Sequence, residues 1–209
     1  MQSHTIALLG NPNCGKTTLF NALTGANQQV GNWPGVTVDR KEGRYRYGNK
    51  TVNVVDLPGI YAIDSEDDGS VDEAIARDYL LSGEAQVVVD IIDASNLERN
   101  LYLTTQILEM GLPLVVALNM TDVAQEHGTR VNPKLLSERL GCPVIPMVAS
   151  RGEGVAELKQ CLDEVLLAPQ RPQAQVVYPS MIEEALAVLT PAIAGSGNPT
   201  PRDRWRALK

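Results

Sequence analysis

The sequence predicts an α/β fold: a mixed, six-stranded, mostly parallel sheet with helices on both faces, followed by the start of a second, helical unit. Three observations carry this. Short β-type runs alternate with helical patterns along most of the chain. The central runs, above all residues 86–93 and 114–119, are apolar almost throughout, as in parallel strands buried on both faces. At residues 168–173 the composition turns to Pro and Gln, which marks a boundary. A chain of 209 residues, 44% hydrophobic and 21% charged, holds one domain and a small appendage. We place the main domain at 1–168, and the linker with the beginning of the helical unit at 169–209.

The elements follow in order. Residues 5–9 form a strand that breaks at a Gly-rich turn and leads into a helix over 16–24. Residues 25–40 are polar, with Gly31, Pro34 and Gly35, and read as a long loop. Strands over 44–47 and 51–56, joined by Gly48, Asn49 and Lys50, make a hairpin, the one antiparallel feature expected. Residues 60–70 are acidic; Asp64, Glu66, Asp67 and Asp68 read as a solvated face rather than a cation site. Ser70 with Glu73, and Ser95 with Glu98, have capping-box spacing for helices reaching about 82 and 110. Strands follow over 86–93, 114–119 and 144–148. Asn132 and Pro133 start another helix, and 154–167 forms the last of the main domain. Beyond the boundary, 180–194 is helical with Met181, Ala185, Leu186, Val188 and Leu189 in register for an apolar face, and Pro191 kinks or ends it. Thr200 and Pro201 open a further helix that stops at Lys209, as in a fragment of a longer protein. Trp205, among Arg202, Arg204 and Arg206, fits a nucleic-acid arm or the apolar face of that helix.

Composition excludes several classes. A formal charge of −7 argues against binding nucleic acid mainly by phosphate neutralisation. No apolar stretch approaches the roughly 20 residues that span a bilayer, and residues 1–4 lack a signal-peptide pattern, so the default compartment is the cytosol. Cys14, Cys142 and Cys161 have no metal-ligand spacing and read as free thiols in a reducing environment. His4 and His127 stand isolated.

The chemistry lies in five short segments. Gly10, Asn11, Pro12, Asn13, Cys14, Gly15, Lys16 and Thr17 fit G-x-x-x-x-G-K-[ST] between a strand and a helix, the context that motif requires. Its glycines let backbone N–H groups curl inward around phosphates, and the helix N-terminus, with Thr18 in its first turn, adds positive potential. Lys16 supplies a cation for the β- and γ-phosphates, and the Thr17 hydroxyl a ligand for Mg²⁺. Cys14 would make the loop sensitive to thiol reagents. Asp56, Leu57, Pro58 and Gly59 end the third strand: Asp56 reads as a second-shell carboxylate for Mg²⁺, and the Gly59 N–H as a donor to the γ-phosphate. Between the two, Gly35, Val36 and Thr37 lie in the long loop, from which the Thr37 hydroxyl can close over Mg²⁺. Asn119, Met120, Thr121 and Asp122 follow a buried strand. A carboxylate there accepts from guanine N1–H and its 2-amino group, donors adenine lacks, so Asp122 selects GTP or GDP. Ala149, Ser150 and Arg151 can bring N–H groups to guanine O6.

In this order the five segments resemble the Ras-like GTPase superfamily, in its translation-factor branch, and imply a P-loop G domain. Two departures stand out: Met120 replaces the usual Lys, which implies fast nucleotide exchange, and Ala149, Ser150 and Arg151 replace S-A-K. Ile60 stands where many relatives have a water-orienting Gln, which implies slow intrinsic hydrolysis. Residues 10–25, 30–43 and 89–103, with the run Gly31-Asn32-Trp33-Pro34-Gly35-Val36-Thr37, more closely resemble the cytosolic N-terminal G domain of the FeoB family, the bacterial ferrous iron transport protein B. That resemblance implies a GTP-hydrolysing regulatory domain of a membrane Fe²⁺ transporter, at the cytoplasmic face of the inner membrane. It implies as partners the helical domain and membrane domain of the same polypeptide, leaves room for a homo-oligomer, and implies no nucleic acid. It also implies activation by K⁺, held by the side chain of Asn13 and the main-chain carbonyls of Gly31 and Trp33. Lys16, Asn13, Thr37 and Gly59 are then the catalytic set. A soluble assembly GTPase acting on ribosomal or transfer RNA is the alternative, and a nucleotide-dependent interaction module a third.

Overall fold

The computed structural model describes residues 3–63, 70–172, 174 and 176–209. Among them, seven strands form one sheet: β1 (Ser3–Gly10), β2 (Gln28–Asn32), β3 (Asp39–Tyr47), β4 (Lys50–Asp56), β5 (Val87–Asp93), β6 (Leu114–Asn119) and β7 (Val144–Pro146). Their order is β2-β3-β4-β1-β5-β6-β7. β1 pairs in parallel with both β4 and β5, β5 with β6, and β6 with β7, whereas β2, β3 and β4 form an antiparallel meander. The helices are α1 (Lys16–Thr24), α2 (Val71–Ser82), α3 (Leu97–Glu109), α4 (Thr121–Glu126), α5 (Pro133–Leu140), α6 (Val155–Leu167), α7 (Ser180–Ala194) and α8 (Pro201–Leu208).

The predicted class holds, and the strand count is corrected from six to seven. The additional strand, β2, lies inside the expected long loop, and β3 begins at Asp39 rather than at 44, so the hairpin is one of two antiparallel pairings. All five residues of β2 are exposed. Backbone hydrogen bonds to β3 hold it, with no buried side chain to print a period of two on the sequence. The hairpin is closed by the two residues Gly48 and Asn49, with Tyr47 paired to Lys50. The last strand stops at Pro146, and α4 was not anticipated, being only six residues long.

Two apolar layers sandwich the sheet. Ile6 and Leu8 of β1 pack with Leu19 and Phe20 of α1 and Leu158 and Leu162 of α6. On the opposite face Leu9 packs with Leu103 and Ile107 of α3, Tyr79 of α2 and Trp205 of α8. Burial of both faces of β1 explains why its central residues are all apolar. Trp205 is 4% exposed, so its ring belongs to the core and the nucleic-acid arm is withdrawn. In α7 only Leu186 of the expected apolar face is buried; Met181 and Val188 are exposed. Pro191 does not end that helix, which runs on to Ala194 and closes with the Gly195 N–H on the Pro191 carbonyl.

The caps divide. Ser70 and Glu73 form the reciprocal box, as do Thr200 and Asp203, and the Asn132 side chain accepts from Leu135 N–H. Ser95 does not cap α3. The Asp93 carboxylate accepts instead from Ser95 N–H at 2.8 Å, nucleating a short 3-10 turn before the helix. The acidic run Asp64, Glu66, Asp67 and Asp68 lies outside the described residues.

Asp90, in the middle of β5, is fully buried. Its Oδ2 accepts from the Thr104 hydroxyl at 2.6 Å, and its Oδ1 has no partner among the described residues. Burial pushes the carboxyl up to about 7, against the lowering pull of the Thr104 hydrogen bond. The unfolded chain ionises near 3.9. The stabilisation is therefore complete below about pH 4 and is lost as pH rises through 7. Asp90→Asn keeps an oxygen for Thr104 and cannot ionise. In urea unfolding, the stability of the variant relative to the native chain should rise by about 2–4 kcal/mol between pH 4.5 and pH 8.

Candidate functional site

The loop between β1 and α1 is shaped by close approach. A Cβ on Gly10 would lie 2.4 Å from the Ile91 carbonyl oxygen, and one on Gly15 would lie 2.2 Å from Asn119 Nδ2. Gly15 also has φ of 92°, a conformation open mainly to glycine. It caps α1 with no side-chain hydrogen bond, which leaves the first-turn N–H groups free for an anion. Thr17 and Thr18 are exposed in that turn. Lys16 Nζ donates to Asp56 Oδ1 at 2.5 Å, and Asp56 is 7% exposed, so the cation and the carboxylate expected at the phosphates already face each other. Leu57 N–H donates to the Leu8 carbonyl and Ile60 N–H to the Gly10 carbonyl. These bonds hold Asp56, Leu57, Pro58 and Gly59 against the loop, where a Cβ on Gly59 would stand 3.4 Å from Pro12 Cα.

The base-reading segments are joined to the same loop by one side chain. Asn119, 3% exposed, donates from Nδ2 to the Cys14 carbonyl at 2.9 Å and accepts at Oδ1 from Ala149 N–H at 2.9 Å. Met120 adopts φ of 58°, and its methyl carbon would stand 3.8 Å from a Cβ on Gly15. The Met120 side chain thus lies beside the loop at Gly15. Asp122 heads α4 and meets Arg151 at 3.2 Å. Ser150 and Arg151 are exposed in a 3-10 turn. Arg151 swings free at little cost, since an exposed ion pair contributes only about 0–1 kcal/mol.

Other expected residues stand apart. Gly31 pairs with Arg40 in β2 and β3, and the Trp33 carbonyl accepts from Val36 N–H at 3.3 Å. Thr37 is exposed in the turn over 33–38. Among the described residues no hydrogen bond joins 31–38 to 10–17. Asn13 is exposed in a left-handed conformation, φ 67°. Cys14 is 1% exposed, and burial, followed by the nearby Asp90, pushes its thiol up to about 12, so the expected reactivity is withdrawn.

Sequence reasoning missed a polar hollow of about 190 Å³ beside the loop, lined by Asn11, Asn13, Tyr61, Asp93 and Arg99 among others. The Arg99 guanidinium lies 4.2 Å from the Tyr61 ring centre, and Asn11 Nδ2 reaches the Arg99 carbonyl at 3.5 Å. The signal was a single Tyr two residues after Gly59, which no periodicity distinguishes.

A strand, phosphate loop and helix, an Asp at the end of β4 paired with the loop Lys, and an Asn-x-x-Asp segment after β6 define a P-loop GTPase domain. A family model described as Ferrous iron transport protein B matches residues 4–162. The "Fe(2+) transporter FeoB" of Shigella flexneri is 48% identical over 211 aligned residues, covering 100% of this chain and 27% of the relative. The cytosolic domain of the T. maritima FeoB iron transporter, in its GDP form I, superposes with a TM-score of 0.91 at 38% identity, covering 100% of this chain and 80% of that one. Its GMPPNP form gives a TM-score of 0.88 at 38% identity, over 99% and 80%. The chain belongs to the FeoB family, as its N-terminal G domain, and spans about a quarter of the length of the curated relative. Among the described residues no helix is long and apolar enough to cross a membrane.

Asn119→Ala would leave the Cys14 carbonyl and the Ala149 N–H buried without partners. At about 1–3 kcal/mol for each unsatisfied group, the expected loss is about 2–6 kcal/mol, read as a lower urea midpoint without any nucleotide present.

Proposed function

We propose that this chain binds GTP and GDP, hydrolyses GTP with Mg²⁺ and K⁺, and serves as the regulatory domain of a membrane Fe²⁺ transporter. The observation that carries the reading is the Asn119 bridge, which fixes the base-reading carboxylate of Asp122 in register with the phosphate loop. The FeoB domain from T. maritima, solved in GDP and GMPPNP forms, supports the choice of nucleotide. The iron cargo, the location at the cytoplasmic face of the inner membrane and the division at residue 168 into G domain and helical domain rest on family membership.

The residues fit the ions by chemistry. The Thr17 and Thr37 hydroxyls and the buried Asp56 are hard oxygen donors suited to Mg²⁺. The Asn13 amide and the Gly31 and Trp33 carbonyls are neutral oxygens suited to a monovalent cation. These residues would hold the two ions beside the phosphates, where the ions would supply charge neutralisation for the transferred phosphoryl group. Lys16 binds the β- and γ-phosphates once it turns from Asp56, and the N–H groups of residues 13–18 hold the phosphate oxygens. The Gly59 N–H donates to the γ-phosphate. Asp122 accepts from the guanine edge as Arg151 moves aside, and the Ala149 segment faces O6. With Ile60 in place of a polar side chain, that position supplies no group to orient the attacking water, which favours slow intrinsic turnover.

Hydrolysis assayed with Mg²⁺ in K⁺ and in Na⁺ at equal ionic strength, with ATP as control, should show GTP selectivity and stimulation by K⁺. Asn13→Ala should abolish the stimulation; undiminished stimulation would remove the cation role. Asp122→Ala should weaken GTP binding at least ~100-fold in isothermal titration, and an unchanged affinity would break the base assignment.

A further inference from the structure

Trp33 is the one large apolar residue of the 33–38 turn that enters the core, at 6% exposed. Its ring meets Tyr79 of α2 edge-on, with centroids 5.5 Å apart. The Arg40 guanidinium of β3 covers both rings, 4.6 Å from the Trp33 centre and 5.8 Å from that of Tyr79. Glu42 holds Arg40 in place at 2.6 Å, and Glu84 lies 3.9 Å away. The turn is closed on itself by the bond from Trp33 N–H to the Val38 carbonyl, 2.9 Å, and Val36 and Val38 pack on the same core. The expected Mg²⁺ ligand Thr37 is thereby carried on a turn anchored to α2 and unconnected by hydrogen bonds to the phosphate loop.

This anchor is built with a flaw. Trp33 Nε1 and the Tyr79 hydroxyl are both buried without a partner among the described residues. Burying a donor unsatisfied penalises the docked arrangement, whereas ring packing and the cation over the rings favour it. The balance gives a dock that holds the turn yet can be released by a ligand that favours the other position.

We propose that the Trp33 dock sets the equilibrium between two positions of the 33–38 turn, and that Tyr79 and Arg40 are positioning residues for the GTPase reaction. They act through Trp33: they hold Thr37 away from the phosphates, and the triphosphate with Mg²⁺ must draw it out. The diphosphate, which lacks the γ-phosphate, leaves the dock in place. The inference rests on the nucleotide reading above and adds to it a route from the turn to α2.

The chain has two tryptophans, so Trp205→Phe makes Trp33 the sole indole. In that background GMPPNP with Mg²⁺ should shift the emission to the red, and GDP should not. Should Trp205→Phe fail to fold, the native spectrum minus that of Trp33→Phe isolates the same signal. Tyr79→Ala removes the ring, and should raise the affinity for GMPPNP relative to GDP 5–10-fold and give red-shifted emission without nucleotide; Arg40→Gln should act in the same direction more weakly. Tyr79→Phe removes only the orphaned hydroxyl, and should lower that ratio 2–3-fold. A merely structural role would move both affinities together and would not give opposite signs at one position. If GDP and GMPPNP bind normally while the ratio and the emission stay unchanged in every variant, the dock proposal falls and the nucleotide reading stands. If no guanine nucleotide binds the native chain, both fall.

Discussion

One side chain holds the site together. The Asn119 amide spends its donor on the carbonyl of Cys14 in the phosphate loop and its acceptor on the N–H of Ala149 after β7, so two segments far apart in the chain share a single anchor in a buried, low-dielectric place. Everything else expected at the nucleotide is hung from this frame or from the sheet. Gly15 has no side chain because Asn119 needs that space. Met120 bends into a left-handed conformation so that the chain can turn from β6 into α4 with Asp122 at its head. A buried amide satisfied on both sides specifies geometry as no apolar residue can, since any shift of either partner leaves a polar group unpaired.

The phosphate side obeys a different constraint. Lys16 and Asp56 neutralise each other in a largely buried pair, and Arg151 does the same for Asp122 at the surface. The charges proposed to meet a ligand are thus paired with one another. The inner pair is dry and short, the outer one wet and weak, so the two ends of the site differ in how readily they yield. The turn over 33–38 follows neither pattern: an aromatic contact holds it against α2, and among the described residues no hydrogen bond joins it to the phosphate loop.

Much of this was legible. The phosphate loop announces itself because glycines at fixed spacing answer a steric demand; Asp56 and Asn119 could be placed because each ends a strand whose apolar run is visible, and Asp122 because it follows the second of these by three residues. The caps at Ser70 and Asn132 follow from local chemistry. What was hidden has physical reasons. β2 is held by backbone bonds and buries no side chain, so its sequence carries no period. Ser95 loses its capping role because Asp93, two residues earlier, offers a stronger acceptor. The stacking of Arg40 on Tyr79, and of Arg99 on Tyr61, joins residues far apart in the chain, and nothing in a single sequence pairs them. Asp90 reads as one polar letter in an apolar run, and only its burial against Thr104 shows that it is held near neutrality.

The order of the strands has a bearing on biosynthesis. β1, made before the other strands of this sheet, lies in its middle and is flanked by β4 and β5, so the loop after it gains both walls only once residue 93 is available. Its tether through Asn119 closes later still, when Ala149 has been added. Sheet pairings of such long sequence separation form slowly, and domains take shape as they leave the ribosome from the N-terminal side. On a nascent chain the motif nearest the N-terminus is therefore among the last to become a binding site, and nucleotide capture reports that nearly the whole G domain has been synthesised and folded.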